Sequence, residues 1–189
     1  MAQPQNPRDR MVSSAMHLFR QHGVAATALS DVVEHSGAPR GSLYHYFPDG
    51  KAQLAEEATA LGGRLMGKTI SKWMAAKGPA GTVEALIDLY RDQLRASDFT
   101  IGCPVVAGAL EGGESPGARA IAGEAFTSWE STLAGALWQH GIPAQRADTL
   151  AAMIVCSIEG AIIVAKAQRS TRPLDRVGEE LDALLRSAL

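Results

Sequence analysis

Apolar residues recur every three or four positions along most of this chain, which is the spacing of amphipathic helices. In the first fifty residues the pattern predicts three short helices, with turns at Gly23 and Gly37 and a stop at Pro48. Thr27 is the predicted N-cap of the second helix, and Pro39 fits the first turn of the third. Five side chains are predicted to form the core of this unit: Phe19, Leu29, Val32, Leu43 and Phe47.

A larger helical region follows, and the pattern predicts no strand and no internal repeat. A long helix begins at Lys51 and is interrupted by the glycines and the proline at 78–81. The predicted fold class is all-α, with a helix-turn-helix domain over residues 1–50 and a larger helical domain over residues 51–189. Later helices are predicted at about 82–97, 104–111, 118–140 and 144–168, and a last helix from Pro173.

The most apolar stretch, residues 149–167, approaches the length of a membrane-spanning helix. Glu159 lies in its middle, where a charge in lipid would cost about 2.5–3.5 kcal/mol. We therefore predict a buried helix and no membrane partner. The only cysteines are Cys103 and Cys156, which form no disulfide framework, and no signal-peptide pattern opens the chain. These features predict a cytoplasmic protein.

The net charge of the chain does not indicate a nucleic-acid partner. The net charge is −2 over 189 residues, and residues 1–60 hold five basic against six acidic side chains. Any phosphate contacts must therefore come from a few placed cations, from helix N-termini and from neutral donors.

One ordered pattern runs through residues 8–54. It consists of Leu18, Phe19, Gly23, Thr27, the stretch 29–33, Ser36, Gly37, the stretch 41–47 and Lys51. With this pattern, residues 8–54 resemble the DNA-binding domain of the TetR family of bacterial transcriptional regulators. The segments 48–51 and 102–108 further resemble the subgroup typified by the LmrA and YxaF regulators of Bacillus.

The resemblance implies a recognition helix in the DNA major groove. Arg40 would reach a guanine or a phosphate, and Tyr44 a thymine methyl or a phosphate. Tyr46 and Lys51 would hold phosphates, although Tyr46 could instead cover the edge of the core. The candidate DNA-binding residues are Thr27, Pro39, Arg40, Gly41, Ser42, Tyr44, His45, Tyr46 and Lys51.

In the larger domain the family resemblance implies a pocket for a small molecule and a homodimer formed by the last two helices. For each pocket candidate, an ordinary place in the core is the alternative. The candidate ligand-binding residues are Leu65, Trp73, Tyr90, Cys103, Val106, Phe126, Trp129, Met153 and Glu159. The candidate dimer residues are Ile154, Ile158, Ile162, Leu174, Val177, Leu181 and Leu184.

These observations predict a homodimeric repressor that a small apolar or aromatic effector releases from a palindromic operator in double-stranded DNA. The alternatives are a helical ligand-binding protein that has lost DNA binding, and a transcriptional activator on the same fold. No enzyme is predicted, because the chain has no G-x-S-x-G, P-loop or H-E-x-x-H motif. No cofactor and no metal site are predicted either.

Overall fold

The computed structural model describes residues 6–113 and 115–188, apart from the side chain of Arg40. Within these ranges the chain forms eight α-helices, one short 3-10 helix and no strand, which confirms the predicted all-α class. The helices are α1 (Pro7–His22), α2 (Leu29–Ser36), the 3-10 helix (Arg40–Ser42), α3 (Leu43–Tyr46), α4 (Gly50–Ala96), α5 (Pro104–Ala109), α6 (Pro116–Gln139), α7 (Ala144–Gln168) and α8 (Arg172–Ala188).

Capping residues fix both ends of α1. The side-chain oxygen of Asn6 accepts a hydrogen bond from the backbone N–H of Asp9 at 3.0 Å, and Pro7 occupies the first turn. At the other end Gly23 adopts a φ of 84° and donates its N–H to the carbonyl of Phe19. A positive φ costs glycine little, so Gly23 ends the helix as predicted.

α4 contains the predicted break. Gly78 has a φ of 69° and a ψ of −176°, which lie outside the helical region, so α4 consists of two arms, 50–77 and 79–96. Pro79 begins the second arm, where its missing N–H and fixed φ are compatible with a first turn. The second arm therefore starts slightly earlier than the predicted residue 82.

The chain divides into two compact units. The first extends to Arg64 and includes Cys103–Ala125, and the second contains Leu65–Gly102 and the chain from Phe126 onward. This division differs from the predicted boundary after residue 50, because the beginning of α4, α5 and the first turns of α6 belong to the same unit as α1 to α3. Within this unit α5 packs against α1, a contact with no local signal in the sequence.

The core of the first unit is the predicted one. Phe19, Val32, Leu43 and Phe47 are buried, and Leu29 packs against them from a partly buried position. Met11 and Leu54 are also fully buried in this cluster. Full burial of a side chain of this size contributes about 1.5–3 kcal/mol, so the cluster holds α1, α2, α3 and the beginning of α4 together.

α7 is the central apolar helix of the second unit. Its length and composition would allow it to cross a membrane, a criterion that core helices also meet. Ile154, Ile158 and Ile162 are buried within the chain, which agrees with the predicted buried helix but not with their prediction as dimer residues.

The structure changes the role of most of the predicted dimer residues. α7 and α8 pack on each other within one chain, and the regular apolar seam of α8 serves this packing. Only Val177 and Leu184 keep partial exposure. The five that are buried inside the chain and cannot reach a partner are Ile154, Ile158, Ile162, Leu174 and Leu181.

A different face of α7 is apolar and exposed. It carries Met153, Cys156, Ile163 and Val164, of which Ile163 is 50% exposed. Met153, Cys156 and Ile163 follow one another at steps of three and seven, and Val164 is next to Ile163, so the four lie on one side of the helix. We call them the α7 outer face.

Candidate nucleic-acid interface and ligand cavity

The recognition segment consists of the 3-10 helix and α3, residues 40–46. Leu43 and the following Phe47 point into the core, with 3% and 0% of their surface exposed. Tyr44 and His45 project outward, and Tyr44 is 70% exposed. The buried pair fixes the segment on its unit, so the exposed pair is presented at a defined position for recognition.

The start of the segment is held by a local hydrogen bond. The hydroxyl of Ser42 donates to the carbonyl of Pro39 at 2.7 Å, and Pro39 and Gly41 are exposed. Ser42 therefore stabilises the turn, while Gly41 keeps the outer surface small enough for close approach to a duplex. Arg40 was predicted to reach a guanine or a phosphate with its side chain, and that side chain lies outside the described part of the structure.

Tyr46 fits the alternative that the sequence left open. It is partly buried and packs against the core cluster of the first unit. Its ring meets that of His45 edge-on, with centroids 5.1 Å apart. Tyr46 thus covers the edge of the core, and its ring also positions His45.

Thr27 differs from its prediction. The N-cap of α2 is Ala28, whose backbone N–H donates to the carboxylate of Asp31 at 3.3 Å. Thr27 is 2% exposed, and its hydroxyl donates to the carbonyl of Gly23 at 2.8 Å. Because the hydroxyl faces the preceding turn, Thr27 shapes the α1–α2 connection and does not offer its side chain to a phosphate.

Lys51 lies in the first turn of α4 and has a structural partner. Its Nζ donates to the carbonyl of Ala25 at 2.8 Å, which ties α4 to the α1–α2 connection. A carbonyl is neutral, so the positive charge is not cancelled, and an ammonium has three N–H donors. The geometry fixes this charge in place beside the positive end of a helix.

Two arginines of α1 were not recognised in the sequence as parts of the site. Arg10 donates from Nε to the carbonyl of Ser36 at 3.0 Å and from Nη2 to that of Gly37 at 3.4 Å. It therefore supports the end of α2 and the turn before the recognition segment. Arg8 pairs with Glu57 at 2.6 Å, and its guanidinium lies 5.3 Å from the centre of the Phe47 ring.

An open cleft of about 750 Å³ lies between α2 and the recognition segment. Tyr44 forms part of its wall together with Ser30 and Glu34, above apolar residues of α2 and α3. Glu34 is exposed, and its carboxylate would repel a phosphate group in this cleft. The cleft therefore suits neutral hydrogen-bond donors of a bound molecule better than a phosphate group.

A histidine pair links α1 to α2. The rings of His17 and His35 are stacked with centroids 5.2 Å apart, and His35 Nδ1 lies 2.9 Å from the hydroxyl of Ser14. Burial lowers the pKa of His17 below its ordinary value of 6.5. The positive potential of His35, Arg20 and His22 lowers it further.

As the pH falls toward 6.5, His17 takes up a proton more readily in the unfolded chain than in the folded chain. The free energy of unfolding should therefore decrease as the pH is lowered, until the pH lies below the lowered pKa of His17 in the folded chain. We expect the melting temperature to drop between about pH 7.5 and about pH 5.5, and to drop less in His17→Gln. His140→Gln, which alters an exposed histidine of α6, is the control. Equal pH dependence in His17→Gln and the wild type would contradict this assignment.

The second unit contains an apolar cavity. It offers about 20 Å³ to water-sized molecules. Both arms of α4, α6 and α7 contribute to its walls. The lining residues are Met66, Ile70, Leu86, Tyr90, Trp129, Leu133, Ile154, Val155, Ile158 and Glu159.

Three predicted ligand residues meet at this cavity: Tyr90, Trp129 and Glu159. Cys103 and Val106 belong to the first unit. Leu65 and Met153 are exposed, Trp73 has Lys77 over its ring, and Phe126 meets Trp129 edge-on without lining the cavity. Ile70, Leu86 and Val155 were missed, because helical spacing alone does not separate cavity walls from the rest of a core.

Comparison of the sequence with family models agrees with the presence of a recognition segment and a second helical unit. Residues 12–58 match the family described as bacterial regulatory proteins, tetR family. Residues 79–180 match the family described as transcriptional regulator LmrA/YxaF-like, C-terminal domain. The second match covers more than half of the chain and confirms the subgroup predicted from the segments 48–51 and 102–108.

Whole-chain relatives point the same way. An uncharacterised HTH-type transcriptional regulator of Mycobacterium tuberculosis is 42% identical, over 98% of this chain and 97% of its own. The YxaF regulator of Bacillus subtilis is 32% identical over 95% of each chain, and the LmrA regulator of the same organism is 31% identical over 95% of this chain and 96% of its own.

Solved structures show the same fold. A regulatory protein TetR from Rhodobacter sphaeroides superimposes with a TM-score of 0.82 at 18% identity, covering 94% of this chain and 97% of its own. A TetR transcriptional regulator from Chloroflexus aurantiacus gives 0.77 at 26% identity, covering 95% and 94%. The chain belongs to the TetR family of bacterial transcriptional regulators, in its LmrA/YxaF-like group.

Proposed function

We propose that this regulator is a cytoplasmic homodimeric repressor, which binds a palindromic operator and leaves it when a small molecule enters the second unit. The observation that carries the proposal is the recognition segment, where Leu43 and Phe47 are locked in the core and Tyr44 and His45 are presented outward. A rigid base under exposed flat side chains suits reading of base edges in a major groove.

Phosphate contacts are proposed to come from fixed positions and not from a basic surface. Lys51 holds its charge in the first turn of α4, with one donor on Ala25 and others left for an anion. The backbone N–H groups of that turn add to the attraction, because a helix N-terminus favours negative charge.

The dimer is proposed to form through the α7 outer face, with a second copy of the chain as its partner. Met153, Ile163 and Val164 are each more than 40% exposed in the single chain. The same surface on both copies would give a symmetric interface, as most homodimers have. A symmetric dimer carries two recognition segments, which is what a palindromic operator requires.

Release by an effector is proposed to act through the cavity of the second unit. At about 20 Å³ of water-sized space, the cavity is closed to ligands, whose sites usually measure about 300–1,000 Å³. A ligand must therefore bind an opened conformation. It shifts the population toward a dimer with a different spacing of its recognition segments, by as much as its affinities for the two states differ.

The deciding experiment is a titration of labelled DNA from upstream of the regulator's own gene, against a random duplex of equal length. The proposal expects a salt-sensitive preference for the upstream DNA, since a specific site is typically bound about 10³–10⁷ times more tightly than random sequence. Equal affinity for both duplexes would refute it. A reporter fused to the same upstream region separates a repressor from an activator by the sign of its response.

Tyr44→Ala should weaken operator binding about 10- to 100-fold, because a good base contact contributes about 1–3 kcal/mol. Random DNA should lose much less, so specificity should fall with affinity. Trp138→Ala, which removes a 62% exposed aromatic ring from the second unit, is the control and should leave binding unchanged. Unchanged operator affinity in Tyr44→Ala would show that this side chain does not read the operator.

A further inference from the structure

The cavity of the second unit combines one acid with aromatic and aliphatic walls. Ten residues line it, and they include the carboxylate of Glu159, the rings of Tyr90 and Trp129, and no lysine, arginine or histidine. Tyr90 and Trp129 are each 3% exposed, and Glu159 is half-buried. The lining therefore carries one acidic side chain and no basic one.

The indole of Trp129 is held in a fixed orientation. Its ring meets that of Phe126 edge-on, at 5.3 Å between centroids and an angle of 87°. On the α4 side the indole packs next to Gly67, where a Cβ would make an ordinary van der Waals contact of 3.5 Å with its Nε1. A ring that is held in this way presents a constant surface to a ligand.

We infer that the cavity binds an apolar aromatic molecule that carries a protonated amine, an inference that rests on the proposed effector-responsive function. The aliphatic and aromatic walls provide the apolar contact. The Glu159 carboxylate attracts a cation more strongly among apolar groups than in water, because the local dielectric constant is lower, and it repels an anion for the same reason. The aromatic rings add cation–π attraction.

The closed state limits the size of the ligand. The cavity offers only about 20 Å³ to water-sized molecules, far below the range of about 300–1,000 Å³ for small-molecule sites, so a ligand has to displace part of the lining. Met66 is the most adaptable residue of the lining, because methionine is unbranched and polarizable, and it is half-buried on the first arm of α4. A molecule of one or two rings requires less displacement of Met66 and its neighbours than a steroid or a long acyl chain.

Three probes that share a naphthalene ring and differ in charge test the inference: 1-naphthylmethylamine, 1-naphthalenemethanol and 1-naphthoate. Calorimetric titration of the full chain should give the amine the lowest Kd, with at least about tenfold weaker binding of the carboxylate. Glu159→Gln should bring the amine to within about threefold of the alcohol and leave the alcohol unchanged. The matched control is Glu130→Gln, which neutralises an acid beside Trp129 that does not line the cavity.

Three results would overturn the inference: a carboxylate that binds as tightly as the amine, an amine preference that survives in folded Glu159→Gln, or no binding of any probe up to about 1 mM. If Glu159→Gln does not fold, as judged by circular dichroism, the order of the three probes on the wild-type chain decides alone.

Operator binding is measured on the same preparation. Operator binding without an amine preference would refute the ligand class and leave the proposed regulator intact. An amine preference that depends on Glu159, in a chain that does not distinguish its upstream DNA, would support the ligand class and refute the proposed repressor.

Discussion

A regulator carrying Ile163→Asp is expected to be a monomer at micromolar concentration and to lose its operator affinity. Ile163 lies toward the C-terminal end of the α7 outer face and is 50% exposed in the single chain. In a symmetric dimer each substitution occurs twice across the interface, and each would place a carboxylate among apolar side chains of the partner.

The expected size of the effect follows from two contributions. Loss of the buried isoleucine surface removes about 1–2 kcal/mol per copy when burial is partial. A carboxylate buried without a partner costs several kcal/mol more. The dimer dissociation constant should therefore rise at least about 100-fold, since each 1.4 kcal/mol corresponds to a factor of ten. Sedimentation velocity measures the association, and a gel-shift titration measures operator binding.

The matched control is Leu110→Asp. Leu110 is the most exposed large apolar residue of the described chain, at 75%, and it belongs to the first unit. The same charge introduced there should leave the dimer intact. If Ile163→Asp remains a dimer of wild-type affinity, the partner does not bind at the α7 outer face, and the interface has to be sought elsewhere.

Sequence predicted the parts of this structure that depend on local backbone chemistry. Gly23 and Gly78 adopt positive φ values at the predicted ends and breaks, where glycine has the lowest cost. The core residues Phe19, Leu43 and Phe47 follow from helical spacing, because an apolar side chain at the right period has few other places to go.

The sequence did not predict which hydrogen-bond partners the polar side chains have. Thr27 has the chemistry of an N-cap, but α2 begins one residue later, with Ala28 as its N-cap, and the Thr27 hydroxyl donates to the carbonyl of Gly23. Arg10 and Lys51 bind backbone carbonyls 26 residues away, and no local pattern announces such a contact. The fold was therefore predictable from periodicity, while the role of each polar group required the tertiary structure.

The dimer residues show the same limit on a larger scale. α7 is apolar around most of its circumference, so periodicity could not tell which side meets α8 and which side is exposed. The structure assigns Ile154, Ile158 and Ile162 to the interior and leaves Ile163 and Val164 outside. A shift of one position along the helix thus decides whether an isoleucine belongs to the core or to the α7 outer face.

A second large effect is expected from Gly63→Ala, in the first arm of α4. A Cβ at Gly63 would lie 2.8 Å from the Cβ of Ala125 in α6, within the first unit. Both atoms are attached directly to helical backbone, so no flexible side chain can move aside. The two helices must separate, and overpacking of this kind costs about 1–3 kcal/mol, even after the gain of up to about 1 kcal/mol that alanine brings to a helix.

Gly123→Ala is the matched comparison, because it places the same methyl group in α6 where, apart from its chain neighbours and the nearby backbone of α6, no atom of the described residues would lie within 4 Å. Only the helix propensity should act there, so Gly123→Ala should stabilise the chain by up to about 1 kcal/mol. Chemical denaturation of the two variants should give free energies of unfolding that move in opposite directions. Stabilisation by Gly63→Ala would mean that α4 and α6 do not approach so closely, and that Gly63 is a flexible position and not a packing one.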